Sequence, residues 1–330
     1  MGMILGDFDG NWYKVHDTWP EALLRNQQLR VSENRRLFHF SFGDMELIHM
    51  SLPDMHIVFG DIRLTSPSFR VRTWEMPDTV ELHFVLSGNG VLHNEENGSD
   101  YRFMASEHNL MYTPAFEGTA TYTLNEPCIF FEVHFMRPYF MELCENTHSL
   151  LERFSEKVGR GEEGKAAAEN MTVTLEMREC IRSIMNSRFT GKVNTLFLQA
   201  KCIELLTLQV EALEKQQHTP ANTVMKTADD KSRIVYARDY LVAHMSSPPS
   251  LTELATIAGT NTFKLKNGFK ELYNQSVFGY LTQVKLSQAR ELLLSGLPVK
   301  EVADQLGYSS VQHFTTAFRK QFGTTPARII

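Results

Sequence analysis

Two stretches, Leu251-Thr-Glu-Leu-Ala-Thr-Ile-Ala-Gly259 and Val299-Lys-Glu-Val-Ala-Asp-Gln-Leu-Gly307, repeat one grammar 48 residues apart. In both, apolar residues fall at i, i+3, i+4 and i+7 (Leu251, Leu254, Ala255, Ala258, then Val299, Val302, Ala303, Leu306), so one face of a short helix is buried. Ala255 and Ala303 are small enough to admit a crossing helix, and Gly259 and Gly307 stand where the chain must turn left-handed. Asn261 and Ser309 then take the N-cap of a second helix. Two such units in one hundred residues read as a duplicated helix-turn-helix.

The second helix of each unit divides by face at 100° per residue. Leu265, Phe269 and Leu272 form the buried stripe of the first, and Phe263, Lys266, Asn267 and Lys270 project away from it. Phe314, Phe318 and Phe322 are buried in the second, where Gln312, Thr315, Thr316 and Arg319 project, the same positions displaced by 49 residues. Asn267 and Gln312 can pair bidentately with adenine; Phe263, Thr315 and Thr316 can touch a thymine methyl or base edge; Lys266, Lys270 and Arg319 can reach guanine or phosphate. Thr262, Lys264, Ser310 and the flanking His313 complete the candidate DNA-contacting set. Between the units, Ser276 to Ser295 reads as one amphipathic helix about 30 Å long. Successive major grooves on one face of B-DNA lie about 34 to 36 Å apart. One chain should therefore read two consecutive grooves of an asymmetric site.

Charge is partitioned in the same way. The chain of 330 residues carries a net charge of -6, yet residues 231–330 hold 12 Lys and Arg against 6 Asp and Glu, while the remainder holds 21 against 33. A basic module joined to an acidic one is the asymmetry expected when only one part meets phosphate.

From Leu37 to about Phe135 the pattern changes to short apolar runs broken by Gly, Pro, Asn and Asp: Leu37 to Phe42, Glu46 to Leu52, His56 to Leu64, Val80 to Leu86 and Cys128 to Phe135. Period-two alternation makes these strands of a barrel or sandwich. After Arg137 the periodicity is helical, with Met171 to Arg188 and Asn194 to Gln217 as the long candidates. In the second, Leu196, Ile203 and Val210 recur every seven residues with Leu206 and Leu213 between them, an edge that suits either a second copy of the chain or its own domain. The expected organisation is multidomain α and β: residues 1–136 a β-rich regulatory domain, 137–217 a helical dimerisation region, 218–230 a polar linker, and 231–330 an all-α DNA-binding domain.

Four cysteines, Cys128, Cys144, Cys180 and Cys202, lie far apart without a Cys-x-x-Cys pair, which argues against a zinc knuckle or a disulfide framework and for a reducing, cytoplasmic setting. No export signal or run of ~18 apolar residues is read in the sequence. The Gly-x-Ser-x-Gly, P-loop and dinucleotide fingerprints are absent, so no enzyme, catalytic residue or cofactor is expected. His39, His49, His56, His83, His93, His108 and His134 are scattered through the strand-rich part; alternation could bring some together, but without a ligand-spacing motif the expectation is no metal. Arg70, Arg72 and Trp74 alternate onto one strand face and, with His83, are the candidate ligand-binding residues, able to grip an anionic or planar molecule.

Over residues 231–330 the sequence resembles the AraC/XylS family of bacterial transcription regulators. The match lies in Leu251-x-x-Leu-Ala-x-x-Ala-Gly259, Phe269-Lys270, Leu281, Ala289-Arg-x-Leu-Leu293, Val302-Ala-x-x-Leu-Gly-Tyr308, His313-Phe314 and Ala317-Phe-Arg-Lys-x-Phe-Gly-Thr-Thr-Pro326. The stretch Asn261 to Lys270 is similar to the branch that includes siderophore-responsive members, although many relatives carry a basic residue where Asn267 stands here. The resemblance implies that Thr262 to Tyr273 and Ser310 to Phe322 are recognition helices. It also implies a cupin-like N-terminal β-barrel followed by dimerising helices. The implied partners are promoter DNA, a small-molecule effector such as a siderophore, RNA polymerase and a second copy of the chain, with no membrane. The metal-binding form of that barrel carries a His-x-His followed by a carboxylate, a run this chain lacks. A regulatory domain that binds a protein partner and no small molecule is the alternative.

Overall fold

Period-two alternation in the first half becomes two antiparallel sheets. The computed structural model describes residues 2–16, 31–74, 77–96, 98–114, 116–124, 127–145, 149–218, 224–225, 227–273 and 275–329. Twelve strands precede the first described helix: β1 (Gly2–Gly6), β2 (Trp12–His16), β3 (Ser32–Phe40), β4 (Gly43–Leu52), β5 (Met55–Leu64), β6 (Ser68–Trp74), β7 (Thr79–Ser87), β8 (Gly90–Asn94), β9 (Asp100–Phe103), β10 (Glu107–Tyr112), β11 (Glu117–Tyr122) and β12 (Cys128–Met136). Two short strands follow, β13 (Gly164–Lys165) and β14 (Met171–Thr172). One sheet runs β2-β1-β6-β11-β8-β9, and the other runs β13-β10-β7-β12-β5-β4-β3 with β14 also paired to β10. Four of the five expected apolar runs lie wholly on strands, and the first, Leu37 to Phe42, runs from β3 into the turn before β4. Among the described residues the ladders form two separate sheets, not one closed ring.

The central strands of the larger sheet are buried on both faces. Leu82, Phe84, Phe131, Val133 and Phe135 point into a core shared with helices α1 (Arg137–Leu143), α2 (Ser149–Gly159), α3 (Leu175–Met185) and α4 (Gly191–His218). Met45, Leu47, Val58 and Ile62 point the other way, to meet Leu5, Phe69 and Ala120 of the smaller sheet. Phe38, Phe40 and Phe42 stack in series and Phe42 continues onto Phe69 at 4.9 Å. The expected helix from Met171 begins later, at Leu175. Met171 and Thr172 hydrogen-bond to β10, and the Thr174 hydroxyl caps the helix by accepting from the Met177 N–H. In α4, Leu206 and Leu213 are buried in the chain's own core, Ile203 and Val210 are half-buried against it, and Leu196 is 63% exposed.

Met1–Thr219 and Pro220–Ile330 are two compact units. Of the expected linker, residues 219–223 and 226 lie outside the described residues. The second unit is helical: α5 (Ala228–Ala243), α6 (Leu251–Ile257), α7 (Thr262–Tyr273), α8 (Val277–Leu294), α9 (Val299–Gln305) and α10 (Val311–Phe322). No helix among the described residues is long and apolar enough to cross a membrane.

Candidate functional site

The two helix-turn-helix units are built as their sequences dictate. Ser250 caps α6 in a reciprocal capping box with Glu253, and Gly259 and Gly307 adopt φ of 62° and 67° in the turns. The Asn261 side chain accepts from the Lys264 N–H at 2.8 Å and so caps α7. In the second unit Ser310, not Ser309, is the cap: its hydroxyl accepts from the His313 N–H at 3.2 Å. Ser309 instead hydrogen-bonds the His313 ring at 2.9 Å. The turn after Gly307 is one residue longer than that after Gly259, which moves the repeat offset from 48 to 49.

Leu265, Phe269, Phe314 and Phe318 are fully buried, and α8 supplies Leu286, Ala289 and Leu293 to the core of the second unit. The opposite faces of α7 and α10 are left to solvent. Phe263 is 65% exposed, an unusual setting for a large apolar ring on a polar helix face. Lys266 and Lys270 on the same helix and Gln312, Thr316 and Arg319 on α10 are exposed, with Asn267 and Thr315 half-buried. The Asn267 amide donates to the Phe263 carbonyl at 2.8 Å and the Thr316 hydroxyl to the Gln312 carbonyl at 2.9 Å, which parks both along their own helices. Lys264 turns away from this face to pair with Asp230 of α5 at 2.6 Å. Val311, which the sequence pattern does not single out, is 38% exposed at the start of α10. The helix between the units, 18 residues long, spans about 27 Å.

A second candidate site lies between the two sheets. A cavity of about 220 Å³ is lined mostly by apolar side chains, including Met3, Leu5, Val71, Leu92, Tyr101 and Phe103. His49, Glu81, His83, Glu132 and His134 interrupt that lining. Strand register explains the cluster: β12 pairs with β7 so that Glu132 faces His83 and His134 faces Glu81, an alternating square of two acids and two imidazoles on the inner face of the larger sheet. His83 Nδ1 lies 2.7 Å from Glu81 and 3.2 Å from Glu132, and His134 Nε2 lies 3.2 Å from Glu132. The row continues into β5 and β4, where His49 and His56 are 3.1 Å apart and the Ser51 hydroxyl meets His56 at 2.9 Å.

Burial opposes charge on His83, but hydrogen bonds to Glu132 and Glu81 outweigh it and hold its pKa above the usual imidazole range. His134 is raised in the same way, chiefly through Glu132. Burial likewise opposes the Glu132 carboxylate, and the hydrogen bonds from His134 and His83 hold its pKa low. The hydrogen bonds thus favour ion pairing between Glu132 and the two imidazoles. Buried ionic groups seldom beat apolar packing in stability, so their presence on an inner sheet face points to a function.

Of the sequence-derived ligand residues, only His83 faces this cavity. Along β6, Phe69, Val71 and Thr73 point inward. Arg70, Arg72 and Trp74 therefore occupy the outer face, where Arg72 pairs with Glu117 at 2.7 Å and the two arginines lie over the Phe8 and Trp12 rings. The apolar members of an alternating strand go to the core and the charged ones to solvent. Glu81, Glu132 and His49 are site residues that the sequence pattern does not single out as ligands. A signal is present in Glu81-Leu-His83 and Glu132-Val-His134, the same acid-x-imidazole triplet on two alternating strands.

Comparison with known proteins bears on both sites. Residues 42–225 match the family described as the regulatory protein PchR N-terminal domain, and residues 254–329 match a helix-turn-helix domain family. The regulatory protein PchR of Pseudomonas aeruginosa is 36% identical over 117 residues, 36% of this chain and 39% of that protein. The right origin-binding protein of Escherichia coli K12 is 36% identical over 89 residues, 27% of this chain and 31% of that protein. The aligned part thus spans well under two thirds of these relatives' length. Among solved structures, the C-terminal domain of AraT, a response regulator from Geobacillus stearothermophilus, is 32% identical over 29% of this chain and 82% of its own, with a TM-score of 0.28. With more than half of its length matched, the chain belongs to the family of the PchR regulatory N-terminal domain and carries an AraC-type helix-turn-helix domain behind it.

Proposed function

We propose that this protein is a transcription regulator that reads duplex DNA with α7 and α10 and is controlled by a small-molecule effector held between the two sheets of its first unit. The observation that carries the reading is the duplicated outward face, Phe263, Lys266, Asn267 and Lys270 against Gln312, Thr315, Thr316 and Arg319, on two capped helices in a basic unit. The Asn267 and Thr316 groups need only a rotamer change to leave their own helices and meet base edges. Lys264 serves the fold through Asp230, and Thr262, Ser310 and His313 lie at helix starts suited to phosphate. The two-sheet unit acts as the cupin-like effector domain, with the polar square as the specific end of an otherwise apolar pocket. Leu196, Ile203 and Val210 form an edge open to a second copy of the chain, and RNA polymerase in the cytoplasm is the final partner. An effector that favours one conformation of the regulator shifts the population competent for DNA.

Selection of duplexes from a random library by the full chain tests the DNA reading. The enriched site is expected to be asymmetric, with two informative clusters about one helical turn apart. Gln312→Ala and Asn267→Ala should each relax base preference in a different cluster, at about 1–3 kcal/mol. Lys270→Ala should weaken all sequences alike and reduce the salt slope by about 1. No enriched sequence from a folded chain would overturn the proposal, and a site with only one informative cluster per chain would overturn the two-groove geometry.

A further inference from the structure

We propose that Glu81, Glu132 and His134, with His83 beside them, form a binding site for one divalent first-row transition-metal ion at the end of the inter-sheet cavity. One ligand atom from each of Glu81, Glu132 and His134 can be chosen so that all three lie within 4.8 Å of one another, a separation that small rotamer adjustments close around an ion. All are carried by adjacent central strands, β7 and β12, whose register fixes their spacing before any ion arrives.

The chemistry of the donors narrows the class. Imidazole with carboxylate suits zinc, cobalt, nickel or ferrous iron, whereas magnesium and calcium favour all-oxygen shells and soft cuprous ion favours sulfur. Cys128 also lines the cavity but is not among the residues whose ligand atoms converge. A second support is the ring orientation of His134. Its Nδ1 lies 3.4 Å from the Thr79 hydroxyl, which turns Nε2 toward Glu132, the outer partner that a metal-bound histidine commonly has. Three protein donors leave coordination positions open, and these face the cavity. The arrangement differs from the His-x-His pattern whose absence argues against a metal in the sequence: here two Glu-x-His triplets on paired strands supply the donors.

The inference deepens the effector reading of the cavity and rests on it for its regulatory meaning, while ion binding itself is measured without DNA. The full chain, stripped with a chelator and dialysed against Co²⁺, is expected to take up one ion per chain with a visible ligand-field absorption that Zn²⁺ abolishes. Glu132→Gln should lower Co²⁺ affinity by ~100-fold or more, and Thr79→Val by roughly tenfold. Should Glu132→Gln fail to fold, Glu81→Gln, at the less buried corner, carries the same test with near-ultraviolet circular dichroism as the control. Absence of stoichiometric Co²⁺ and Zn²⁺, or uptake unchanged in folded Glu81→Gln, overturns the site. Duplex selection by the stripped chain separates the two claims: selection without ion uptake sinks the metal site alone, and uptake without selection sinks the DNA reading alone.

Discussion

Replacing Gly307 by alanine is expected to unfold the second helix-turn-helix unit and abolish duplex binding, while Gly259→Ala, the matching change in the first unit, leaves a folded protein weakened by about 1–2 kcal/mol. Both glycines sit in the left-handed region, at φ of 67° and 62°, so both substitutions carry a backbone strain of about 1 kcal/mol. The surroundings separate them. A Cβ on Gly307 would run into the Ser246 carbonyl oxygen and lie 2.8 Å from its Cα and carbonyl carbon, main-chain atoms in the turn after α5 that cannot move without shifting that turn. A Cβ on Gly259 would meet Nη1 of Arg233 at 2.6 Å, the far end of a flexible side chain. Arg233 can swing aside at the loss of its hydrogen bond to the Gly259 carbonyl. We expect a loss on the order of 3 kcal/mol or more for Gly307→Ala, enough to melt a marginal unit. Urea unfolding of the two variants in the full chain checks this, with equal losses at both positions as the outcome that would refute it.

The contrast between these glycines also shows which parts of the protein its sequence displays. Gly259 and Gly307 are legible because three local signals coincide there: a 3.6-residue apolar period ends, a glycine follows, and a capping side chain begins the next helix. Their unequal surroundings are not, because Ser246 approaches Gly307 only through tertiary packing. The sequence points to Ser309 where Ser310 is the cap for a local reason, since two serines in succession can both cap; only the change of the repeat offset from 48 to 49 residues betrays the longer turn. The strand-rich half is legible as strands, but the polar square is not. Glu81 and Glu132 are some fifty residues apart, and only the register of β7 on β12 brings them together. Arg70, Arg72 and Trp74 do lie on a strand. Their alternation with Phe69 and Val71 already assigns them to the solvent side, a constraint that outweighs their appeal as ligand grips. β13 and β14, two residues each, are too short to carry a period at all.

Acid should loosen the first unit at one identifiable point. His108 on β10 is fully buried, stacked on Phe84 at 5.4 Å, and its Nδ1 accepts a hydrogen bond from the Gln209 amide of α4 at 2.9 Å. Burial drives its pKa down from 6.5 to about 3 against a weaker opposing contribution from the Thr172 backbone, so the folded ring stays neutral where the unfolded one is charged. Above pH 6.5 both states are neutral and the residue is indifferent to pH. As pH falls through 6.5 the unfolded chain gains a proton that the folded chain refuses, and stability drops until the folded ring also titrates near pH 3. The full loss is on the order of 5 kcal/mol, of which about 2 kcal/mol is expected by pH 5. Other groups also titrate in this range, so the test is a difference. The double variant His108→Leu, Gln209→Leu removes both partners without orphaning either, and its unfolding free energy should decline less than the parent's between pH 7 and pH 5 by that amount. Parallel declines would show that His108 is not the group responsible. Protonation makes Nδ1 a donor facing a donor, so the Gln209 amide must either lose this bond or turn over and give up its bond to the Asn109 carbonyl. Both bonds help to seat α4 on the sheet, so acid weakens the placement of that helix.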